Sequence, residues 1–233
     1  ALVKGRVIFE STPAPAVEQY GGRMVVTSDG HLFLTIGDRW EAERAQDLSD
    51  HAGSIIRIRT DSSIPTDNPF VSVAGAKPEI WTYGHRNPQG IAFHPRTGAL
   101  YISEHGPDTD DELNRIEPGR NYGWPQVRGA CDEPEEREFC QTNRVVEPLT
   151  TWTPTIAPAG IAFYDADLFP GWRGSLLLVA LRGERLLRIA LSPDEKTLYV
   201  GTRTANTVVV VDAVTNTVKR KIGVPGQPSR TVV

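Results

Sequence analysis

The sequence predicts an all-β fold of the β-propeller type, and three observations carry that prediction. A single hairpin pattern recurs: an apolar strand, a polar turn rich in Asp, Pro or Gly, then a second apolar strand. It stands at residues 23–38 (RMVVTSDGHLFLTIGD), 90–106 (GIAFHPRTGALYISEHG), 160–181 (GIAFYDADLFPGWRGSLLLVAL) and 189–202 (IALSPDEKTLYVGT). Alternation of period two on both sides of such a turn makes an antiparallel hairpin. Further strands follow, GSIIRIRT at 53–60 and RLLRIAL at 185–191, so each unit holds three or four strands. The 21 glycines and 18 prolines punctuate short β-branched and aromatic runs, as many short strands joined by turns require. A unit of this kind leaves a bare face that only a neighbouring unit can cover, which is the logic of a propeller blade.

In chain order, the hairpin turns fall near Ser28, His94, Asp165 and Ser192. The first three are far apart, with long excursions between blades, and the fourth follows closely. Beyond Leu191 the style changes to a compact repeat, SPDEKTLYVGTRTANTVVVVDAVTNTVKRKI, without insertions. The reading is therefore blades over residues 1–191 and a compact repeat over 192–233, in one propeller domain of about four to five blades' worth. The one helical candidate, residues 39–53 (RWEAERAQDLSDHAG), is short and charged and is placed in an inter-blade loop without a function.

Composition narrows the function classes. At 233 residues the chain can form one large all-β domain or two small ones. A formal charge of −4 argues against a nucleic-acid partner, which needs a basic face. No apolar run is long enough for a membrane-spanning helix and no basic-then-apolar leader opens the chain. The first residue is Ala1 rather than Met, so a processed, trimmed or assembled piece is expected. Cys131 and Cys140 lie in an acidic stretch, GACDEPEEREFCQTN. The favoured reading is a disulfide closing a surface loop, with two free thiols as the alternative; a zinc site is disfavoured because the loop has no histidine.

Two stretches carry chemistry. In EHGPDTDDELNRIEPGRNYGWP, residues 104–125, acidic groups cluster around a Gly-Pro kink that tips main-chain carbonyls outward. Carbonyls mixed with carboxylates suit a hard cation such as calcium, and the plain alternative is an acidic surface loop. In GHRNPQG, residues 84–90, a turn needs only the Pro and the Gly. Arg86 presents a rigid fork that matches a carboxylate bidentately; its plain alternative is a bond to a loop carbonyl. His51, His85 and His94 read as loop and strand-end residues rather than ligands or bases.

Four segments, YGGRMVVTSDGHLFLTIGDR, EIWTYGHRNPQGIAFHP, SEHGPDTDDELNRIEPGRNYGWP and TWTPTIAPAGIAFY, together resemble the soluble aldose (glucose/sorbosone-type) dehydrogenases that depend on pyrroloquinoline quinone (PQQ). They come in the family's order and the resemblance spans about residues 17–190. It implies a six-bladed propeller with PQQ and calcium on its axis, an aldose substrate oxidised at C1 to a lactone, an external electron acceptor, and a periplasmic or secreted location. It implies that Arg86, Asn87, His105 and Arg182 contact the quinone. It further implies that the Gly106 and Pro107 carbonyls hold the activating calcium, and that Asp111, Glu112 and Tyr122 serve a second calcium.

The sequence also departs from that pattern. The family's general base is a histidine just before the GGR glycines, and VEQYGGR puts Gln19 there. Two blades' worth of sequence expected before Ala1 and the family's last blade are missing. The tail from Ser192 instead resembles YVTN-type propeller repeats, with Arg230 the one cation that could stand in for lost cofactor contacts. The chain thus reads as a shortened or chimeric propeller, with a homodimer as one way to complete the ring. Two other functions remain: a non-catalytic propeller scaffold built from recombined blades, and, last, a calcium-dependent lactonase-type hydrolase.

Overall fold

The alternating apolar runs fold as antiparallel strands, each joined to the next in sequence. The computed structural model describes residues 5–14, 18–182, 184–191, 197–202, 207–212 and 217–223. A first sheet holds β1 (Gly21–Val26), β2 (His31–Ile36), β3 (Ser54–Arg59) and β4 (Ile80–Tyr83), in that order. A second holds β5 (Pro88–Phe93), β6 (Leu100–Glu104), β7 (Asp111–Ile116) and β8 (Thr150–Trp152). The third holds β9 (Pro158–Tyr164), β10 (Ser175–Ala180), β11 (Arg185–Leu191), β12 (Thr197–Thr202), β13 (Thr207–Asp212) and β14 (Thr217–Gly223). Every sheet is a meander, and the two four-stranded ones have the blade form the repeats imply.

The four hairpin repeats do not make four separate sheets. The turn near Ser192 lies outside the described residues, but the strands it joins are paired, Ile189 opposite Val200. The last hairpin therefore extends the third sheet. Arg230 also lies outside the described residues.

The chain divides into two compact units. One comprises Ala1–Pro88, Glu117–Arg128 and Asp132–Val146; the other Gln89–Ile116, Gly129–Cys131 and Glu147–Val233. The first has Ile55, Ile56 and Ile80 fully buried along β3 and β4. The core of the second joins Tyr101, Leu113, Trp152, Ile161, Leu176, Leu178 and Ile189. Burying one such aliphatic side chain contributes roughly 1.5–3 kcal/mol, so each core can hold its own loops in place.

Helix appears where the sequence reading left a loop, and is shorter than expected where it was expected. Residues 39–53 form only a 3-10 segment, Ala42–Gln46. Arg39 and Trp40 take φ of +61° and +62°, which no right-handed helix contains. Asp38, Asp47 and Asp50 accept hydrogen bonds from the backbone N–H groups of Trp40, Ser49 and Ala52, and such local turns compete with helix. The single α-helix among the described residues, α1 (Pro134–Asn143), lies in the acidic cysteine stretch. It starts with Pro134 at its first turn and a reciprocal Glu133–Glu136 capping box, and ends on Arg144 in left-handed conformation. None of its residues is buried, so it has no apolar stripe for a sequence reading to detect. Both Cys131 and Cys140 are disulfide-bonded, as the favoured sequence reading had it.

Candidate functional site

In the first unit the site grows from the turn between β4 and Pro88. Segment 84–86 is pinned by its backbone: the His85 N–H donates to the Gly53 carbonyl at 3.0 Å, and the Arg86 carbonyl accepts from the Asp38 N–H at 2.8 Å. The Arg86 side chain is only 9 % exposed and lies over two indoles, 5.6 Å from the Trp40 ring and 5.3 Å from that of Trp124. Asp38 fixes both tryptophans: one oxygen accepts from the Trp40 backbone N–H at 3.0 Å, the other from the Trp124 indole N–H at 2.8 Å. A guanidinium sheathed by indoles loses water, which strengthens its pull on an anion reaching its edge. Next to it, the Asn87 side-chain oxygen accepts from the Gly21 N–H at 3.3 Å.

Gln19, at the base position, belongs to the same unit. It is 8 % exposed and sits at φ +55°. Its carbonyl crosses so close to Gly37 that a Cβ there would lie 2.0 Å from the Gln19 oxygen. Only glycine at 37 allows that approach. Beyond it, Gln46 and Asn121 exchange amide hydrogen bonds at 3.0 and 2.8 Å, and Gln46 also donates to the Trp124 carbonyl at 2.6 Å. Tyr122 stacks on His85 at 4.6 Å, and its hydroxyl accepts from the Glu117 N–H at 2.9 Å. Thus the first unit gathers Gln19, Arg86 and Asn87, with Asp38, Trp40 and Trp124 as partners that sequence reasoning missed. Their signal was present in DRW and YGWP, but an indole in a loop has no periodicity to betray its neighbour.

The second unit holds the Gly-Pro kink. The Gly106 N–H donates to Asp111 Oδ1 at 2.9 Å, and a Cβ on Gly106 would meet the Thr109 carbonyl at 1.9 Å. Asp111 Oδ2 accepts from the backbone N–H groups of Ile156 and Ala157 at 2.5 and 2.7 Å. This carboxylate is therefore a staple for three loop amides. Its neighbour on β7, Glu112, points to the opposite face, as consecutive strand residues must. Asp111 and Glu112 do not bring their carboxylates to one ion. His105 donates from Nε2 to the Pro158 carbonyl at 2.8 Å, and the exposed Arg182 donates to the Thr155 hydroxyl at 2.9 Å. Both are tied to their own unit's loops.

Glu112 lies across from Glu104 in the β6–β7 register. The Asn114 amide donates 2.9 Å bonds to both carboxylates, and the Gly129 N–H donates to Glu112 at 3.0 Å. Burial of its carboxyl, then the Glu104 charge, pushes the Glu112 proton affinity well above the ordinary 4.5. Asn114 is fully buried and its side-chain oxygen has no partner.

Comparison with known proteins bears directly on this arrangement. The family model described as glucose/sorbosone dehydrogenase matches residues 1–215. The chain belongs to the glucose/sorbosone dehydrogenase family. The match runs past both ends of the 17–190 stretch on which the resemblance was read. Aldose sugar dehydrogenase YliI of Escherichia coli is 35 % identical over 82 % of this chain and 53 % of its own length. Quinoprotein glucose dehydrogenase B of Acinetobacter calcoaceticus is 29 % identical over 78 % of this chain and 53 % of its own. The solved PQQ-bound aldose sugar dehydrogenase of Streptomyces coelicolor aligns with a TM-score of 0.60 at 30 % identity, covering 84 % of this chain and 56 % of that one. The all-β propeller class follows from this family membership and the blade-like meanders. The chain spans about half the length of the curated relatives it matches.

The residues present fit the family's cofactors. A desolvated guanidinium flanked by an amide is the donor set for a carboxylate of a planar quinone. Among the described residues no group of three or more His, Cys, Asp or Glu is arranged as a metal cage. The Glu104–Glu112 pair with the partnerless Asn114 oxygen is nonetheless a set of oxygen donors whose mutual repulsion a divalent cation relieves. In metal-stripped protein the raised affinity of Glu112 has a definite sign. The folded chain holds this proton more tightly than the unfolded chain. The stabilisation is complete below the ordinary value of 4.5 and is lost as pH rises through the raised one. Thermal unfolding in chelator should therefore come earlier as pH rises above 4.5, calcium should restore it, and Glu112→Gln should flatten the slope. An identical slope in the variant would assign it to another group.

Proposed function

We propose that this chain binds PQQ and calcium and oxidises the C1 hydroxyl of an aldose to the lactone. The observation that carries the reading is Arg86: a 9 % exposed guanidinium held over two indoles beside Asn87, in a chain of this family. Arg86 grips a carboxylate of the quinone by its fork, and Asn87 hydrogen-bonds the ring side. The Gly106 and Pro107 carbonyls hold the activating calcium, with the backbone between them fixed by Asp111. Glu112, with the Tyr122 carbonyl, serves a second ion. His105 and Arg182 flank the cofactor from loops they already anchor.

Bound PQQ, activated by calcium acting as a Lewis acid, supplies a two-electron hydride acceptor. Conversion of the C1 hydroxyl to a lactone releases one hydride and one proton; the hydride leaves with the cofactor's electrons to an external acceptor, and the proton needs a base. Gln19 stands where that base is expected, and an amide accepts no proton at neutral pH. The chain's own residues thus provide binding and orientation, with proton removal left to solvent. Disulfide-bonded cysteines suit an oxidising compartment, and the reading places the chain in the periplasm or outside the cell. Apo protein titrated with PQQ plus calcium should take up the quinone, followed by its absorbance, and reduce a dye slowly with glucose. No uptake would end the dehydrogenase reading. Uptake without turnover would leave a cofactor-binding scaffold.

A further inference from the structure

Trp40 is large, apolar and 62 % exposed, in a loop where nothing about folding asks for an indole. Its backbone sits at φ +62°, directly after Arg39 at +61°. Left-handed geometry is strained for a bulky residue, and two such residues in succession persist only where the surroundings over-determine them. The surroundings do so here. Asp38 holds the Trp40 N–H, the Trp40 indole N–H donates to Glu18 at 3.3 Å, and the Arg86 guanidinium lies over the ring at 5.6 Å. Alongside, Arg39 stacks on Tyr20 at 4.0 Å, and Tyr20 is itself 48 % exposed. The loop strains its backbone to hold an aromatic plate open to solvent at the edge of the anion-binding arginine.

We infer that Trp40 is the stacking platform for the sugar ring, with Glu18 as the acceptor for one of its hydroxyls. The inference rests on the dehydrogenase reading above for its ligand class and goes beyond it in naming the residue that selects the ring. The charge around the plate decides which ligand it suits. Arg86 offers its N–H edge to a carboxylate, but the indole lies beside the Glu18 carboxylate, which repels an anionic ring. A neutral pyranose meets no such penalty. Its face of C–H bonds is apolar and slightly positive, matching the negative face of the indole, and its equatorial hydroxyls reach sideways to an acceptor such as Glu18. Trp40 is thus a positioning and specificity residue, whose effect falls on sugar affinity more than on the chemical step.

The test separates this role from a structural one, because strain and binding pull in opposite directions. Glycine adopts φ +62° without penalty. Trp40→Gly should therefore melt at the same temperature as the parent or about 2–4 °C higher. In PQQ- and calcium-loaded protein the same variant should raise the KM for D-glucose roughly three- to ten-fold, the scale of an aromatic stacking contact. The fall in kcat should be much smaller. Trp40→Phe, which keeps a ring, should recover most of the affinity. D-glucose saturation-transfer NMR on protein with and without PQQ supplies a readout that needs no turnover. A signal from the parent that Trp40→Gly abolishes supports the platform, even in protein that takes up no quinone, in which case only the dehydrogenase reading falls. A glucose signal that survives Trp40→Gly, no signal in either state of the parent, or an earlier melt of Trp40→Gly overturns the platform.

Discussion

Gln19→His raises the glucose-dependent turnover of PQQ- and calcium-loaded protein by about 10²–10⁴-fold, the usual contribution of a positioned general base. The size of the gain follows from what the position already has. Gln19 is 8 % exposed, and its backbone is locked at φ +55° by the close crossing with Gly37. Histidine is among the residues that tolerate left-handed geometry, so the substitution inherits the placement instead of disturbing it. An imidazole accepts protons at neutral pH where an amide does not. The recovered rate should therefore rise with pH through about 6.5, the ordinary histidine value, while the parent's slow rate shows no such step. Dye reduction across pH 5–8 reads both effects. A variant that binds the quinone but gains no rate would show that residue 19 does not face the reacting hydroxyl. The missing base would then have to come from another segment.

What could be read from the sequence divides along physical lines. Hairpins were legible because side chains alternate with period two, and every proposed hairpin is a paired set of strands. Alternation says which strands are neighbours but not where a sheet stops. The Ser192 repeat therefore looked like a new blade, while β11 and β12 pair within a six-stranded sheet. Helix α1 was invisible because no face of it is apolar, although its Pro-Glu-Glu start is a capping signal. Arg86 could be singled out because a turn does not need it. Its partners Trp40, Trp124 and Asp38 come from separate loops, and nothing in a single sequence states that they meet. The acidic run from Glu104 to Glu112 shows the converse. Composition groups these carboxylates, yet the pleat sends Asp111 to staple backbone amides and Glu112 to face Glu104. One stretch of acidic residues thus holds two unrelated kinds of carboxylate.

Arg86→Ala abolishes useful affinity for PQQ while the protein stays folded. Truncating one partner of a desolvated, hydrogen-bonded charge pair costs about 2–5 kcal/mol, or roughly a 30- to 3,000-fold weaker Kd. Its cost to folding is much smaller. The hydrogen bond from the Asp38 N–H goes to the Arg86 main-chain carbonyl, which alanine keeps, and each lost guanidinium–indole contact is worth about 0.5–1 kcal/mol. Arg86→Lys decides between charge and geometry. Lysine retains the positive charge but not the planar fork, so it should recover only part of the loss if bidentate recognition matters. Quinone absorbance titrations at two salt concentrations measure this directly. A partly desolvated pair is screened weakly, so the gap between parent and Arg86→Ala should change little with salt. Should Arg86→Ala bind the quinone as tightly as the parent, the guanidinium between the two indoles serves the loop alone, and the cofactor must be held elsewhere.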